Sequence, residues 1–232
     1  PTLLSLDDYT IEYKGDDLIP LTYDDMKLMS FGYVQETSGD SGPAVMRGPM
    51  VVQIIQQLLM GTQWGDLDYL ILDMPPGTGD IQLTLGQIVP ITAAVIVTTP
   101  QKISYVDVVK GIQMYDSIQV PTVSVIENMS YFLCGNCTKK HTIFGEGSLD
   151  KLVNDFGFKH AAELPLIPEM ASLSDKGVPY VKEFKDSPLV YYMNEIVQDI
   201  VKEVKFVKEN SVSVKIGFND DAIKIQLNDD HL

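Results

Sequence analysis

Leu70-Ile71-Leu72-Asp73-Met74-Pro75-Pro76-Gly77-Thr78-Gly79-Asp80 decides how the chain is read. Apolar Tyr69 to Leu72 predicts a buried strand, with Asp73 at its carboxyl end. An acidic group there is costly to bury unless something pairs with it. In phosphate-binding α/β proteins that partner is Mg²⁺ with its waters. Pro75 and Pro76 stiffen the following turn. Gly77 and Gly79 let backbone N–H groups approach a ligand closely. Thr78 and Asp80 are placed to cap the next helix. An aspartate after a strand is, alone, equally a plain turn residue; the whole eleven-residue string shifts the balance away from that reading.

Outward from this string, apolar strands alternate with amphipathic helices. Met26 to Val34 is an expected strand, and Glu36 to Pro43 a loop. Arg47-Gly48-Pro49 opens a helix with apolar Met50, Val51, Ile54, Ile55, Leu58 and Leu59. Ile81 to Ile88, Ser104 to Tyr115, Leu149 to Phe156 and Leu189 to Val204 are further expected helices. Ala93 to Val97, Thr122 to Ile126 and Ala161 to Leu164 are expected strands. This alternation predicts an α/β fold, doubly wound around a mostly parallel sheet, with sites at the carboxyl ends of its strands. After Lys205 the pattern changes, and Val212 to Ile216 and Ala222 to Leu227 resemble two strands. Residues 1–205 therefore form the expected main domain, and 206–232 a linker and the start of a β-containing module. The chain begins at Pro1 rather than Met and stops soon after an expected strand, so both ends read as cut.

Composition narrows the function. Among 232 residues, 45% are apolar and 21% charged, an ordinary globular balance. No apolar run approaches the roughly 18 residues that span a membrane, so no membrane insertion is expected. A formal net charge of −15 argues against a nucleic-acid partner, which requires cations against phosphates. The acidic pairs, such as Asp7-Asp8 and Asp24-Asp25, read as solvated turns.

Cys134 and Cys137 are the two cysteines of the chain. They make no disulfide framework, so a reducing compartment is expected. Several readings of Cys134-Gly135-Asn136-Cys137 stand side by side. A redox pair of thioredoxin type needs a helix N-terminus to lower its thiol pKa. A zinc knuckle needs four ligands, and His141 supplies at most a third. Two packing thiols are the bland reading. A [4Fe–4S] cluster usually takes four thiolates, and a two-fold dimer supplies them by doubling the pair.

The stretch from Trp64 to Asp80 resembles the diagnostic motif of the Mrp/ApbC family, deviant-Walker P-loop ATPases related to MinD and nitrogenase iron protein. The similarity extends from Pro1 to about Val204. It implies an iron–sulfur cluster carrier that uses ATP and Mg²⁺ and passes a [4Fe–4S] cluster to recipient apoproteins. Under it, Asp73 is the Walker B aspartate, holding Mg²⁺ through water, and Pro75 to Asp80 is the switch II turn. Asp73 and Asp80 are the implied catalytic residues. Gly77, Thr78 and Arg47 are implied phosphate or switch contacts. Asn128 in Glu127-Asn128-Met129-Ser130 is an implied base contact, with Pro165 of Leu164-Pro165-Leu166 packing beside the base. Cys134 and Cys137 are implied to bridge the cluster across a homodimer. Without the resemblance, Asn128 is equally a turn residue and Arg47 equally a surface ion-pair partner.

The sequence departs from that family in one respect. No G-x-x-x-x-G-K-[ST] loop or lysine-rich variant occurs; the resemblance puts that loop, and the switch I aspartate, before Pro1. The parent protein is thus expected to be an ATPase, and this chain alone is not expected to hydrolyse ATP. Ser211 to Leu232 resembles the start of the small C-terminal domain of plastid-type members, which often lack the cysteine pair. Plastid stroma, mitochondrial matrix and cytoplasm all stay open. The competing functions are a MinD/ParA-like positioning ATPase and a non-catalytic interaction module.

Overall fold

In the computed structural model, which describes residues 2–6, 9–33, 48–75, 77–210, 215–217 and 224–226, the acidic N-terminal stretch folds as two tight hairpins. β1 (Glu12–Lys14) pairs antiparallel with β2 (Asp17–Ile19), and β3 (Leu21–Tyr23) with β4 (Met26–Leu28). The second turn places Asp24 at φ 47° and Asp25 at φ 62°, a left-handed pair that short polar side chains tolerate and that suits strand twist. The strand expected over Met26 to Val34 is therefore three residues long. Its ladder ends at Leu21 opposite Leu28, and residues 31–33 turn helical.

Helix α1 (Gly48–Met60) begins at the Gly48-Pro49 signal. Its Leu58 packs on buried Leu6, Ile11, Leu18 and Tyr33. Leu18 then stitches β2 to the end of this helix. Its N–H donates to the Gly61 carbonyl at 2.6 Å, and its own carbonyl accepts from Gln63 N–H at 2.8 Å. The Trp64 indole donates to the Leu59 carbonyl at 2.9 Å, and the Lys27 ammonium donates to the Trp64 carbonyl.

Tyr69 to Leu72, expected as a buried strand, is not one. It has no ladder partner among the described residues, and Ile71 is 88% exposed. A strand is a pairing rather than a property of one segment. The apolar residues make this segment strand-capable, and without a neighbour it stays unpaired and largely exposed. The cap expectation is corrected too. Helix α2 (Asp80–Ile88) has Gly79 at its N-cap, at φ −82° and ψ −175°, with no side-chain cap bond. The cap position falls between Thr78 and Asp80, on the residue without a side chain.

The parallel core follows. β5 (Ala94–Thr98) leads into helix α3 (Lys102–Ser117), and then into β6 (Thr122–Leu133). After β7 (Lys140–His141) and helix α4 (Ser148–Phe156) comes β8 (Ala161–Pro165). β6 pairs parallel with β5 on one side and with β8 on the other, and antiparallel with β7 beyond them. The expected α/β class with a mostly parallel sheet is therefore found. β6 itself does not stop at Ile126 but runs to Leu133. Between strands and helices, Ile112, Val125, Leu149 and Leu152 form a buried cluster, packed on by Ile96, Phe156 and Phe158. β5 has no second partner among the described residues.

Short helices α5 (Pro168–Ser174) and α6 (Tyr180–Glu183) lead to the long α7 (Pro188–Asn210). Val190 is buried, and Glu203 of α7 meets Lys159 at 3.1 Å and His160 at 3.4 Å. No helix among the described residues is long and apolar enough to cross a membrane. β9 (Lys215–Gly217) and β10 (Lys224–Gln226) pair antiparallel; β10 lies inside the expected Ala222 to Leu227, and β9 overlaps the expected Val212 to Ile216 and runs one residue past it.

Gly177 sits at φ +65°, and a Cβ there would run into the backbone N and side chain of Ser5. Gly177→Ala is expected to cost about 1–3 kcal/mol, read as a lower denaturant midpoint with an unchanged slope. The docking of α7 gives a pH dependence. The Lys202 hydrogen bond lowers the Asp199 pKa from its ordinary 3.8, and the Lys159 hydrogen bond lowers that of Glu203 from 4.5. Depressed carboxylates stabilise above their unfolded pKa, and that contribution is lost as pH falls through the folded value. The stability gap between wild type and a Lys159→Met/Lys202→Met double variant should thus exist at neutral pH and close below about pH 4. A gap that persists in acid contradicts this account.

Candidate functional site at the carboxyl ends of the parallel strands

The three parallel strands align Thr98 of β5, Glu127 of β6 and Glu163 of β8 in one row. Beyond this row the register slips, and pairing resumes at Tyr131 opposite Pro165. The Leu166 N–H donates to the Tyr131 carbonyl at 2.7 Å. Asn128, Met129 and Ser130 absorb the slip. Met129 takes φ 56°, and its N–H donates to Asn128 Oδ1 at 2.9 Å. The expected turn is therefore an irregularity inside a continuing strand, and its left-handed residue is Met129 rather than Asn128. Asn128 therefore lies within β6, at the point where its parallel pairing slips, and Pro165 ends β8 opposite Tyr131, three residues further along β6.

Glu127 underlies this kink. It is 3% exposed. Its Oε2 lies 2.5 Å from the Ser130 hydroxyl, which also lies 3.0 Å from the Glu127 carbonyl. Oε1 is buried without a hydrogen-bond partner among the described residues. A polar strand residue in Val125-Ile126-Glu127 breaks the apolar run, and that break was the available signal for it.

The Asp73 turn lies on a separate segment. Asp73 and Gly77 are exposed, and Thr78 is half-buried. Gly77 has φ 95°, and nothing stands within 4 Å of where a Cβ would be. Thr78 lies against α3, its Cγ2 4.0 Å from a Cβ placed on Gly111. Gln82, 3% exposed, folds back from α2 and donates from Nε2 to the Pro75 carbonyl at 2.9 Å. Gln82 was not anticipated, because a polar residue early in an amphipathic helix reads as solvated. An exposed aspartate beside an open turn fits, by its donor chemistry, a hydrated divalent cation. Arg47 and the side chain of Asp80 lie outside the described residues.

The cysteine pair occupies the turn between β6 and β7. β7 pairs Phe132 with His141 and Leu133 with Lys140. The Cys134 N–H donates to the Lys139 carbonyl at 3.0 Å, and Thr138 N–H to the Cys134 carbonyl at 2.8 Å. Cys134 is half-buried and Cys137 exposed, both as free thiols. The backbone N–H groups of Cys137 and Asn136, and then the Cys137 side chain, hold the Cys134 thiol below its ordinary pKa of 9.0. The turn leads into a strand, not a helix, so the thioredoxin-like reading lacks its helix N-terminus. His141 does not complete a knuckle: among the described residues no three His, Cys, Asp or Glu side chains gather to hold a metal ion. Two thiolate donors at a hairpin tip are half of a four-ligand set.

The sequence matches the family of NUBPL iron-transfer P-loop NTPases, within the ParA group, over residues 1–201. It is 46% identical over 183 residues to the chloroplastic Fe-S cluster assembly factor HCF101 of Arabidopsis thaliana, covering 78% of this chain and 33% of that protein. It is 41% identical over 170 residues to the iron-sulfur cluster carrier protein of Aquifex aeolicus, covering 73% and 46%. It is 34% identical over 212 residues to the iron-sulfur cluster transfer protein NUBPL of Dictyostelium discoideum, covering 90% and 65%. The chain thus spans between a third and two thirds of the length of these relatives. A solved nucleotide-binding protein of Archaeoglobus fulgidus, in complex with ADP, superposes with a TM-score of 0.67 at 30% identity, covering 82% of this chain and 72% of that one.

The geometry of the cysteine turn predicts a reactive thiol. In a Cys137→Ser variant, which isolates Cys134, alkylation by iodoacetamide should be half-maximal below pH 9.0. A profile centred at or above that value would show that the amides of Asn136 and Cys137 do not stabilise the thiolate.

Proposed function

Because this chain belongs to the NUBPL-type iron-transfer P-loop NTPases, we propose that it is the core of an ATP-dependent carrier of [4Fe–4S] clusters. The cluster is cargo, received at the Cys134–Cys137 turn and passed to recipient apoproteins. The observation that carries this reading is the pair of free thiols at one hairpin tip, one half-buried and one exposed. Two copies brought together about a two-fold axis present four thiolates. Free thiols with one lowered pKa suit a reducing compartment, where they stay available as ligands.

The nucleotide side of the proposal uses residues at the carboxyl ends of the strands. Asn128 and Pro165 form the edge against which a base packs, with the Asn128 amide offering polar contacts. Asp73 would hold Mg²⁺ through water, and Mg²⁺ supplies charge neutralisation at the phosphates. Gly77 and Thr78 would face the phosphates, and Asp80 and Arg47 complete the proposed set. Gln82 ties the turn to α2 through the Pro75 carbonyl, so turn and helix respond to the phosphates as one body. The ADP-bound relative from Archaeoglobus supports a nucleotide in this fold. β6 links the two functions. Five residues, Met129 to Leu133, lie between Asn128 and Cys134, so one backbone joins the two proposed sites across the kink at Met129.

Anaerobic reconstitution with iron and sulfide tests the reading. The expected product is a brown dimer with about four iron and four sulfide per pair of chains. Cys134→Ala and Cys137→Ala should each abolish the colour and leave a monomer. Full colour in both variants would sink the bridging cluster.

A further inference from the structure

We infer that Lys140 is a positioning residue for the cysteine turn: its side chain latches β7, and with it Cys134 to Cys137, onto β6 and β8. β7 is two residues long. A two-stranded piece that short is marginal in water, and the two backbone bonds that close the turn are carried by Cys134 and Thr138 near its solvent-exposed tip. Ordering the turn costs conformational entropy that the pairing alone offsets poorly.

Lys140 adds ties that reach beyond the hairpin. Its Nζ lies 2.9 Å from Glu163 Oε2 on β8 and 4.2 Å from the centre of the Tyr131 ring on β6. Leu133 faces Lys140 across the ladder. With a period of two, Tyr131, Leu133 and Lys140 therefore share one face of the hairpin. The hydrogen bond to Glu163 raises the Lys140 pKa above its ordinary 10.5, and the charges of Tyr131 and buried Glu127 add to it. The ammonium is thus fully charged at neutral pH. A lone exposed ion pair contributes little. Here a carboxylate and an aromatic face converge on one ammonium, in a strand with few other ties.

Lys139-Lys140 is also the one adjacent lysine pair in a chain of net charge −15. A four-thiolate cluster is anionic, so a fixed cation at the base of its turn is favourable as well as structural. The latch rests on the cluster reading only for its functional consequence.

The test uses the whole chain, reduced and metal-free, in three variants. Lys140→Met keeps the stem and removes the charge; Glu163→Gln removes the charged partner; Lys140→Arg keeps both the charge and the ring contact. Hydrogen exchange at the Cys134 and Thr138 amides should rise about tenfold in Lys140→Met and Glu163→Gln, and stay within about twofold in Lys140→Arg. The core amides of Val125 and Leu152 should not change in any variant. After reconstitution, the cluster of Lys140→Met should bleach correspondingly faster under chelator, and Lys140→Arg should restore its lifetime. Exchange within about twofold of wild type in both Met and Gln variants overturns the latch. A loosened turn with an unchanged cluster lifetime overturns its role in carriage. If the wild-type chain takes up no cluster, the carrier reading falls, and exchange alone decides the latch.

Discussion

The double parallel ladder of β6 is the constraint on which the rest of the structure depends. Its backbone bonds to β5 and β8 fix where the helices can pack and bring Thr98, Glu127 and Glu163 into one row. Parallel pairing needs crossovers, and α3 and α4 supply them while covering Ile96 and Val125. The same strand kinks at Met129, meets β8 once more at Tyr131 opposite Pro165, and continues antiparallel to β7. One continuous backbone therefore carries the proposed base contact and ends at the first cysteine.

The kink of that strand and its carboxyl end are held differently. At Asn128 the fixing interactions are interior: a buried carboxylate, a serine hydroxyl and a side-chain acceptor for the Met129 amide. At Cys134 they are exterior: two turn bonds and the ties of Lys140. Local stability follows the density of buried contacts. The proposed base contact thus belongs to the stiff part of the molecule, and the proposed cluster turn to its soft part. On the proposed carrier function, that division serves both grip and release.

What the sequence revealed follows the physics of each element. Helices were legible because their apolar spacing is internal to the segment; α1, α3 and α4 lie where Leu58, Ile112 and Leu152 put them. β5 and β8 were legible as short apolar runs between turn residues. Tyr69 to Leu72 misled, because strand identity depends on a neighbour that no local pattern reveals. Glu127 to Ser130 misled in the opposite direction. Asn and Ser signal a turn, yet the strand absorbs the kink at Met129, a residue with no left-handed preference. The cysteine turn was legible from spacing alone. Gln82, Glu127 and Lys140 were not, since each acts by reaching a partner on another element or by being buried against expectation for its type.

β5 presents an unpaired edge among the described residues. Val97 is 63% exposed and Val95 38%, on a β-branched strand whose outer N–H and C=O groups have no ladder among the described residues. Such an edge templates another strand. Pairing through it joins unlike surfaces and can propagate without closing, whereas thiols meeting across a two-fold axis form a closed pair. On the proposed bridging cluster, an open-ended geometry at this edge would compete with a self-limiting one at the cysteine turn, and protein concentration would then weigh on the assembled form alongside the chemistry of the turn.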